Sequence, residues 1–303
     1  MSDKQTVGFI GVGLMGHGMA KNILEGGYPL VILGHSNREP VDDLVARGAT
    51  EATDAAELAR VSDVVFLCVS NSPVVESLVL GPKGIAAGAR EGTIVVDCST
   101  ADPSSTLKLA GTLAEQGVTL IDAPLGNTPR EAELGQLNAF VGSDHATLEK
   151  VRPIIDTWAQ TIVHVGPVGA GHKAKLINNF VALAYNAVYA EAFTACHKSG
   201  VDVEKFRDII AAGGLNCGIF QRVTNYLIGG DPNAHLFSLT NCYKDIRYYT
   251  RMADDAGMVA AMGGSAKGYY AVSMANGGES KHMPMLTDFV CEMNGVQVPP
   301  AGG

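Results

Sequence analysis

Three glycines, Gly11, Gly13 and Gly16 in FIGVGLMGHGMAKNIL, constrain this chain more than any other feature. A short apolar run precedes them and an amphipathic segment follows, so the GxGxxG spacing falls where a strand turns into a helix. In that setting Gly11 permits a tight turn, Gly13 lets the backbone approach a pyrophosphate, and Gly16 allows the helix to pack closely on the strand. The phosphate would lie at the helix N-terminus, where unpaired amides point outward. Alone the motif is weak in a chain with 36 glycines, but its position in the first strand-to-helix turn makes a dinucleotide site the expected role.

Further short apolar runs, YPLVILG, DVVFLCV, GTIVVDCST and GVTLIDAP, alternate with helix-length segments. Their continuous apolar character predicts parallel strands covered on both faces, hence an α/β fold with an N-terminal Rossmann-type doubly wound sheet. QLNAFVG and TIVHVG flank DHATLEKVRPIIDTWA, whose apolar residues recur at helical spacing, and complete this domain near Gly166. From Gly169 the pattern changes: GAGHKAKLINNFVALAYNAVYAEAFTACHKSG has no proline and predicts one long helix opening an all-helical second domain. The expected division is 1–167 for dinucleotide binding and 168–303 for substrate binding and oligomerisation.

The excess of 31 acidic over 22 basic residues, with no long basic block, argues against a nucleic-acid partner. No apolar stretch reaches membrane-span length, and MSDKQTVGFIGVG lacks the pattern of a secretory leader. Six scattered cysteines without a CxxC pair fit reduced thiols and a cytoplasmic protein. His164 and His172 form no compact ligand motif, so no metal is expected; both read as structural or near-site hydrogen-bonding groups.

Two segments carry candidate chemistry. In LGHSNREP, after the second predicted strand, no acid precedes Glu39, and His35, Ser36, Asn37 and Arg38 favour NADP(H), with NAD(H) as the alternative. Arg38 is alternatively readable as a solvated loop charge. In GAGHKAKLINNF, Lys175 and Asn179 stand four apart and share one face of the long helix. A lysine there can exchange a proton with a hydroxyl or carbonyl oxygen, and an amide one turn on can hold the substrate or orient the lysine. Spacing alone also allows Lys173 and Lys175 to be surface charges, but the adjacent Asn178 and Asn179 are poor helix formers that need a reason to be there.

Together with the glycine motif, DCST at Asp97–Thr100, DAPLGNTPREAELGQL from Asp122, GAGHKAKLINN and FSLTNCYKD resemble the β-hydroxyacid dehydrogenases, the 3-hydroxyisobutyrate dehydrogenase-like family, in family order over nearly the whole chain. The resemblance implies that Gly11, Gly13, Leu14, Met15 and Gly16 form the dinucleotide loop. It places Cys68, Val69 and Ser70 along the adenosine-ribose side and Thr100 near the nicotinamide. Lys175 matches the family's catalytic lysine, Asn179 its assisting asparagine, and Phe237 and Lys244 positions that approach the cofactor from the second domain. A homodimer or homotetramer built through the helical domain is implied as well.

The substrate block departs from the common DAPVSGG form. Gly126, Asn127 and Thr128 stand where sulfolactaldehyde and succinic semialdehyde reductases look like GRT, so a neutral amide replaces an anion-gripping arginine. Arg130 would supply that charge if the loop turns inward, or pair at the surface if it does not. The expected activity is NAD(P)-dependent interconversion of a small β-hydroxy acid, or a related primary alcohol, and its semialdehyde or aldehyde in an interdomain cleft. Lys175 would serve as general acid and base. Two rivals are imine reduction, disfavoured because imine reductases generally lack this lysine, and a non-catalytic nicotinamide-dinucleotide sensor.

Overall fold

The computed structural model describes residues 4–297. The chain divides into two compact units, one ending at Lys175 and the next beginning at Leu176, so the division falls inside a continuous helix rather than ahead of it.

The first unit is built on strands β1 (Val7–Ile10), β2 (Leu30–Leu33), β3 (Thr50–Ala52), β4 (Val64–Leu67), β5 (Ile94–Asp97), β6 (Thr119–Asp122), β7 (Leu125–Gly126), β8 (Leu137–Gly142) and β9 (Ala159–Gly166). Between them run helices α1 (Gly16–Glu25), α2 (Glu39–Ala46), α3 (Ala55–Val61), α4 (Ser72–Leu80), α5 (Ile85–Gly88), α6 (Pro103–Ala114), α7 (Pro129–Glu133) and α8 (His145–Ile155). The strand order β3-β2-β1-β4-β5-β6 is parallel throughout, as the sequence predicts, and reverses direction of growth between β1 and β4. Ligands bind such sheets beyond the carboxyl ends of the strands at that switch point.

The parallel expectation stops there. β8 runs antiparallel to β6 and β7, and β9 returns parallel to β8. The connection from β6 to β8 contains only the two-residue β7 and the five-residue α7, too little helix for a covering crossover.

Successive strand residues point into two cores. Val64 and Phe66 join the cluster holding Val7, Phe9, Val96 and Trp158, whereas Val65 and Leu67 join Ile10, Leu58, Val95 and Leu120. Both faces are therefore covered, and each fully buried large aliphatic or aromatic side chain contributes about 1.5–3 kcal/mol. Side-chain caps fix where several helices begin: Asp54, Asn71 and Asp144 accept from Glu57 N, Val74 N and Thr147 N at the starts of α3, α4 and α8.

The second unit is helical among the described residues. It takes most of α9 (Ala170–Ser199), followed by α10 (Val203–Ala211), α11 (Gly218–Leu227), α12 (Leu239–Asp255), α13 (Ala261–Ala275) and α14 (Leu286–Met293). At 30 residues α9 is about 45 Å long at the helical rise. Leu176, Leu183, Ala187 and Ala190 line one face of it and pack with Ile246, Tyr270 and Leu286. No helix of the described residues is long and apolar enough to cross a membrane.

Candidate active site

The three glycines of the first loop are constrained differently. Gly11 has φ +98°, and a Cβ there would lie 2.2 Å from the Cys68 carbonyl oxygen. A Cβ on Gly16 would lie 2.0 Å from the Gly11 carbonyl oxygen. Packing within the protein thus explains the first and third glycines. Gly13 is different: nothing lies within 4 Å of a Cβ built on it. Its bare backbone, beside exposed Leu14 and half-buried Met15, faces open space at the start of α1, the cradle a pyrophosphate requires. The loop fits a dinucleotide.

Beyond β2, His35, Ser36, Asn37 and Arg38 are all exposed. Arg38 is not simply a solvated charge, because its guanidinium donates to both carboxylate oxygens of Glu51, at 2.6 and 2.8 Å, and to Asp42 at 2.9 Å. The hydrogen bond from Arg38 holds the Glu51 carboxyl below its ordinary range. Cys68, Val69 and exposed Ser70 follow β4 against Gly11, with Val69 N donating to Ser99 Oγ at 3.0 Å. Burial, with the Asp97 charge added, pushes the Cys68 thiol up to about 12, so it stays protonated and non-nucleophilic near neutrality. Thr100, half-buried, follows β5.

Behind this loop lies a fully buried polar cluster. Asp122, the last residue of β6, accepts from Gly169 N at 2.6 Å and from His172 N at 2.7 Å, and so caps the first turn of α9 from a distant strand. The His172 ring sits between Thr106 Oγ1 at 2.8 Å and the Ser99 carbonyl at 3.1 Å. Asp97 and Asp122 lie 3.9 and 3.8 Å from its two ring nitrogens. His164, expected like His172 to be a structural or near-site hydrogen-bonding group, meets the Ser143 carbonyl at 2.8 Å and lies edge-on to the His145 ring. Lys175, half-buried, follows three residues after His172 on the anchored turn.

The loop after β6 is braced from within. Gly126 ends β7, and Asn127 has φ +79°, the one left-handed non-glycine residue among those described. Asparagine is one of the few side chains that accept this conformation. Its amide donates to the Gln136 carbonyl at 2.9 Å, closing the loop. Thr128 leads into α7, where Glu131 accepts from its backbone N–H at 3.0 Å and from its hydroxyl. Arg130 is exposed on the first turn of α7. Another polar network joins α7 to α1 and α2: His17 lies between Glu133 at 2.7 Å and Asp43 at 2.9 Å, and Lys21 reaches Glu133 at 2.8 Å. Sequence reasoning missed it, since His17 and Glu133 are 116 residues apart.

In the second unit Asn179 is buried and donates to Asp245 Oδ2 at 2.7 Å. Lys244 Nζ lies 3.2 Å from the other oxygen of that carboxylate. Asp245, buried on α12, thereby joins two residues that sequence resemblance had singled out separately. Half-buried Phe237 lies just ahead of α12, packed against the helical core. Lys175 and Asn179 share a face of α9 at one-turn spacing. Among the described residues no group of three or more histidine, cysteine, aspartate or glutamate side chains is placed to hold a metal.

Two family models account for most of the chain. Residues 6–166 match the NAD binding domain of 6-phosphogluconate dehydrogenase, and residues 169–288 match the NAD-binding domain of NADP-dependent 3-hydroxyisobutyrate dehydrogenase. The chain is 31% identical over 293 residues to the 2-(hydroxymethyl)glutarate dehydrogenase of Eubacterium barkeri, covering 96% of this chain and 97% of that one. It is 28% identical to the 3-sulfolactaldehyde reductase of Escherichia coli, covering 89% and 91%. The 3-hydroxyisobutyrate dehydrogenase of Mycobacterium tuberculosis, solved with L-serine, superposes with a TM-score of 0.81 at 24% identity over 94% of this chain and 98% of that one. An imine reductase from Pseudomonas is more distant, with a TM-score of 0.59 at 17% identity over 95% and 99%.

Proposed function

Since the chain belongs to the β-hydroxyacid dehydrogenase family, of the 3-hydroxyisobutyrate dehydrogenase-like kind, and is an NAD(P)-dependent oxidoreductase acting on hydroxyl groups, we propose that Lys175 is its acid and base toward a small acid aldehyde. The supporting observation is Asp122. By fastening the amides of Gly169 and His172 to the carboxyl end of β6, it fixes the turn that carries Lys175 beside the edge of the sheet where ligands bind.

The nicotinamide, when bound, supplies or accepts the hydride. In reduction the Lys175 ammonium gives a proton to the aldehyde oxygen; in oxidation the neutral amine takes the hydroxyl proton. Asn179, oriented by Asp245, holds the substrate oxygen or the lysine. Gly126, Asn127 and Thr128 shape the substrate loop. Because the Asn127 amide is engaged by Gln136, Arg130 is the cation we assign to a substrate carboxylate or sulfonate. The relatives' names, a hydroxymethylglutarate dehydrogenase and a sulfolactaldehyde reductase, support an acid aldehyde. Gly11, Gly13, Leu14, Met15 and Gly16 hold the pyrophosphate, and Cys68, Val69, Ser70 and Thr100 follow the ribose and nicotinamide.

The reading extends to assembly and place. The helical face bearing Ile177, Val181, Tyr185 and Val188 is 45–50% exposed, which supports a homodimer or homotetramer through α9. Six unpaired cysteines support a cytoplasmic protein.

The test is oxidation of NADH and NADPH against succinic semialdehyde, methylmalonate semialdehyde, tartronate semialdehyde, sulfolactaldehyde, glyoxylate, uncharged aldehydes and one cyclic imine. Turnover of one acid aldehyde, lost in Arg130→Ala through KM, supports the assignment. Turnover of the imine alone, or tight cofactor binding with no turnover at all, would replace it by imine reduction or by sensing.

A further inference from the structure

In sheets of this order the adenosine ribose is read at the end of β2, by a carboxylate that takes the diol or a cation that takes a 2′-phosphate. Here β2 ends at Leu33, and the next residue, Gly34, offers no side chain. Its place is nevertheless filled. A Cβ on Gly34 would lie 2.1 Å from Glu51 Oε1 and 2.7 Å from Arg38 Nη1. Glu51 belongs to β3, with its backbone paired to Ile32 of β2, and its carboxylate occupies the volume an acid at the end of β2 would use. At 33% exposure the side chain is open to a ligand from solvent.

The neighbouring cation is already engaged. Arg38 forms a two-pronged pair with Glu51 and a third bond to Asp42, so two carboxylates face one guanidinium and leave one uncompensated negative charge. A 2′-phosphate brings roughly −1.5 to −2 more charge and must displace Glu51 or sit beside it. A ribose diol is uncharged and donates hydrogen bonds to a carboxylate.

Resting on the dinucleotide reading above, we propose that Glu51 sets the cofactor preference: it takes the ribose diol, holds Arg38 from a 2′-phosphate, and makes the chain prefer NAD(H) to NADP(H). This reverses the preference expected from the composition of the 35–38 loop, because the deciding acid comes from the next strand. His35, the other basic group of the loop, meets Ser36 Oγ at 3.0 Å.

The experiment is calorimetric titration of the full chain with NADH and with NADPH, for the wild type, Glu51→Gln and the double variant Glu51→Gln/Arg38→Ala, with a thermal melt of each. The wild type should bind NADH more tightly. Glu51→Gln should weaken NADH and strengthen NADPH, each by roughly tenfold, the effect of one charge-assisted hydrogen bond lost or gained. The double variant should lose the gain for NADPH. Tighter NADPH binding by the wild type, or a ratio unmoved in Glu51→Gln, overturns the proposal. Binding of neither nucleotide overturns the dinucleotide reading and this inference with it. The expected binding pattern without turnover supports the inference and counts only against the substrate reading.

Discussion

Two ionic clusters of the first unit share similar chemistry in opposite settings. Asp97, Asp122 and His172 are fully buried, and the oxygens of Asp122 are satisfied by backbone amides that cannot be replaced. Arg38, Asp42 and Glu51 are exposed and satisfied by one another. In the interior an unmatched charge has no water to turn to, so each partner there is obligatory and the cluster determines geometry. At the surface water and salt stand in for any lost partner, so that cluster contributes little to the fold and can be retuned toward a ligand.

The most severe test addresses what the buried cluster holds in place. Lys175→Ala should lower kcat by about 10²–10⁴, the usual range for a positioned proton donor, with NADH affinity unchanged by calorimetry. A variant with near-normal turnover would leave the anchored turn without a catalytic purpose. Next, Asp122→Ala strands two buried amides and should cost about 3 kcal/mol in urea unfolding. Should it cost no more than Glu51→Gln, the contrast between the clusters collapses.

A finer test uses pH. Burial raises the Asp122 carboxyl above its ordinary 3.8, against the opposing pull of His172 and of the two amides. The folded chain therefore binds this proton more tightly than the unfolded chain does. The stability so contributed is complete below the ordinary value and is lost as pH rises through the raised one. The melting temperature of the wild type minus that of Asp122→Asn should fall with pH across that window; a rise would reverse the assigned direction. Smallest of all, Glu51→Gln should leave the melting temperature unchanged within error while moving the NADH to NADPH ratio, and a drop comparable to that of Asp122→Ala would show the exposed pair to be structural.

What could be read from sequence was what is local. The glycine loop, the apolar strands and the long helix announce themselves through backbone demand and periodicity within a few turns; the helix expected from 169 to 200 runs Ala170–Ser199. β3 was missed because Thr-Glu-Ala has neither apolar character nor length, and with it went Glu51, the partner that changes the meaning of Arg38. Asp122 read as part of a family block, yet its bonds reach 47 and 50 residues ahead and no spacing rule signals them. Asp245 was hidden for the same reason, 66 residues from Asn179. The antiparallel β8 depends on a connection whose helix is short only once folded.

The left-handed backbone at Asn127 limits which side chains that loop position can carry. An arginine at that position, as in the GRT form, would inherit a conformation that costs most side chains about 1–2 kcal/mol and would release the Gln136 carbonyl from its partner. An exchange of asparagine for arginine here therefore loses stability unless the main-chain path changes with it.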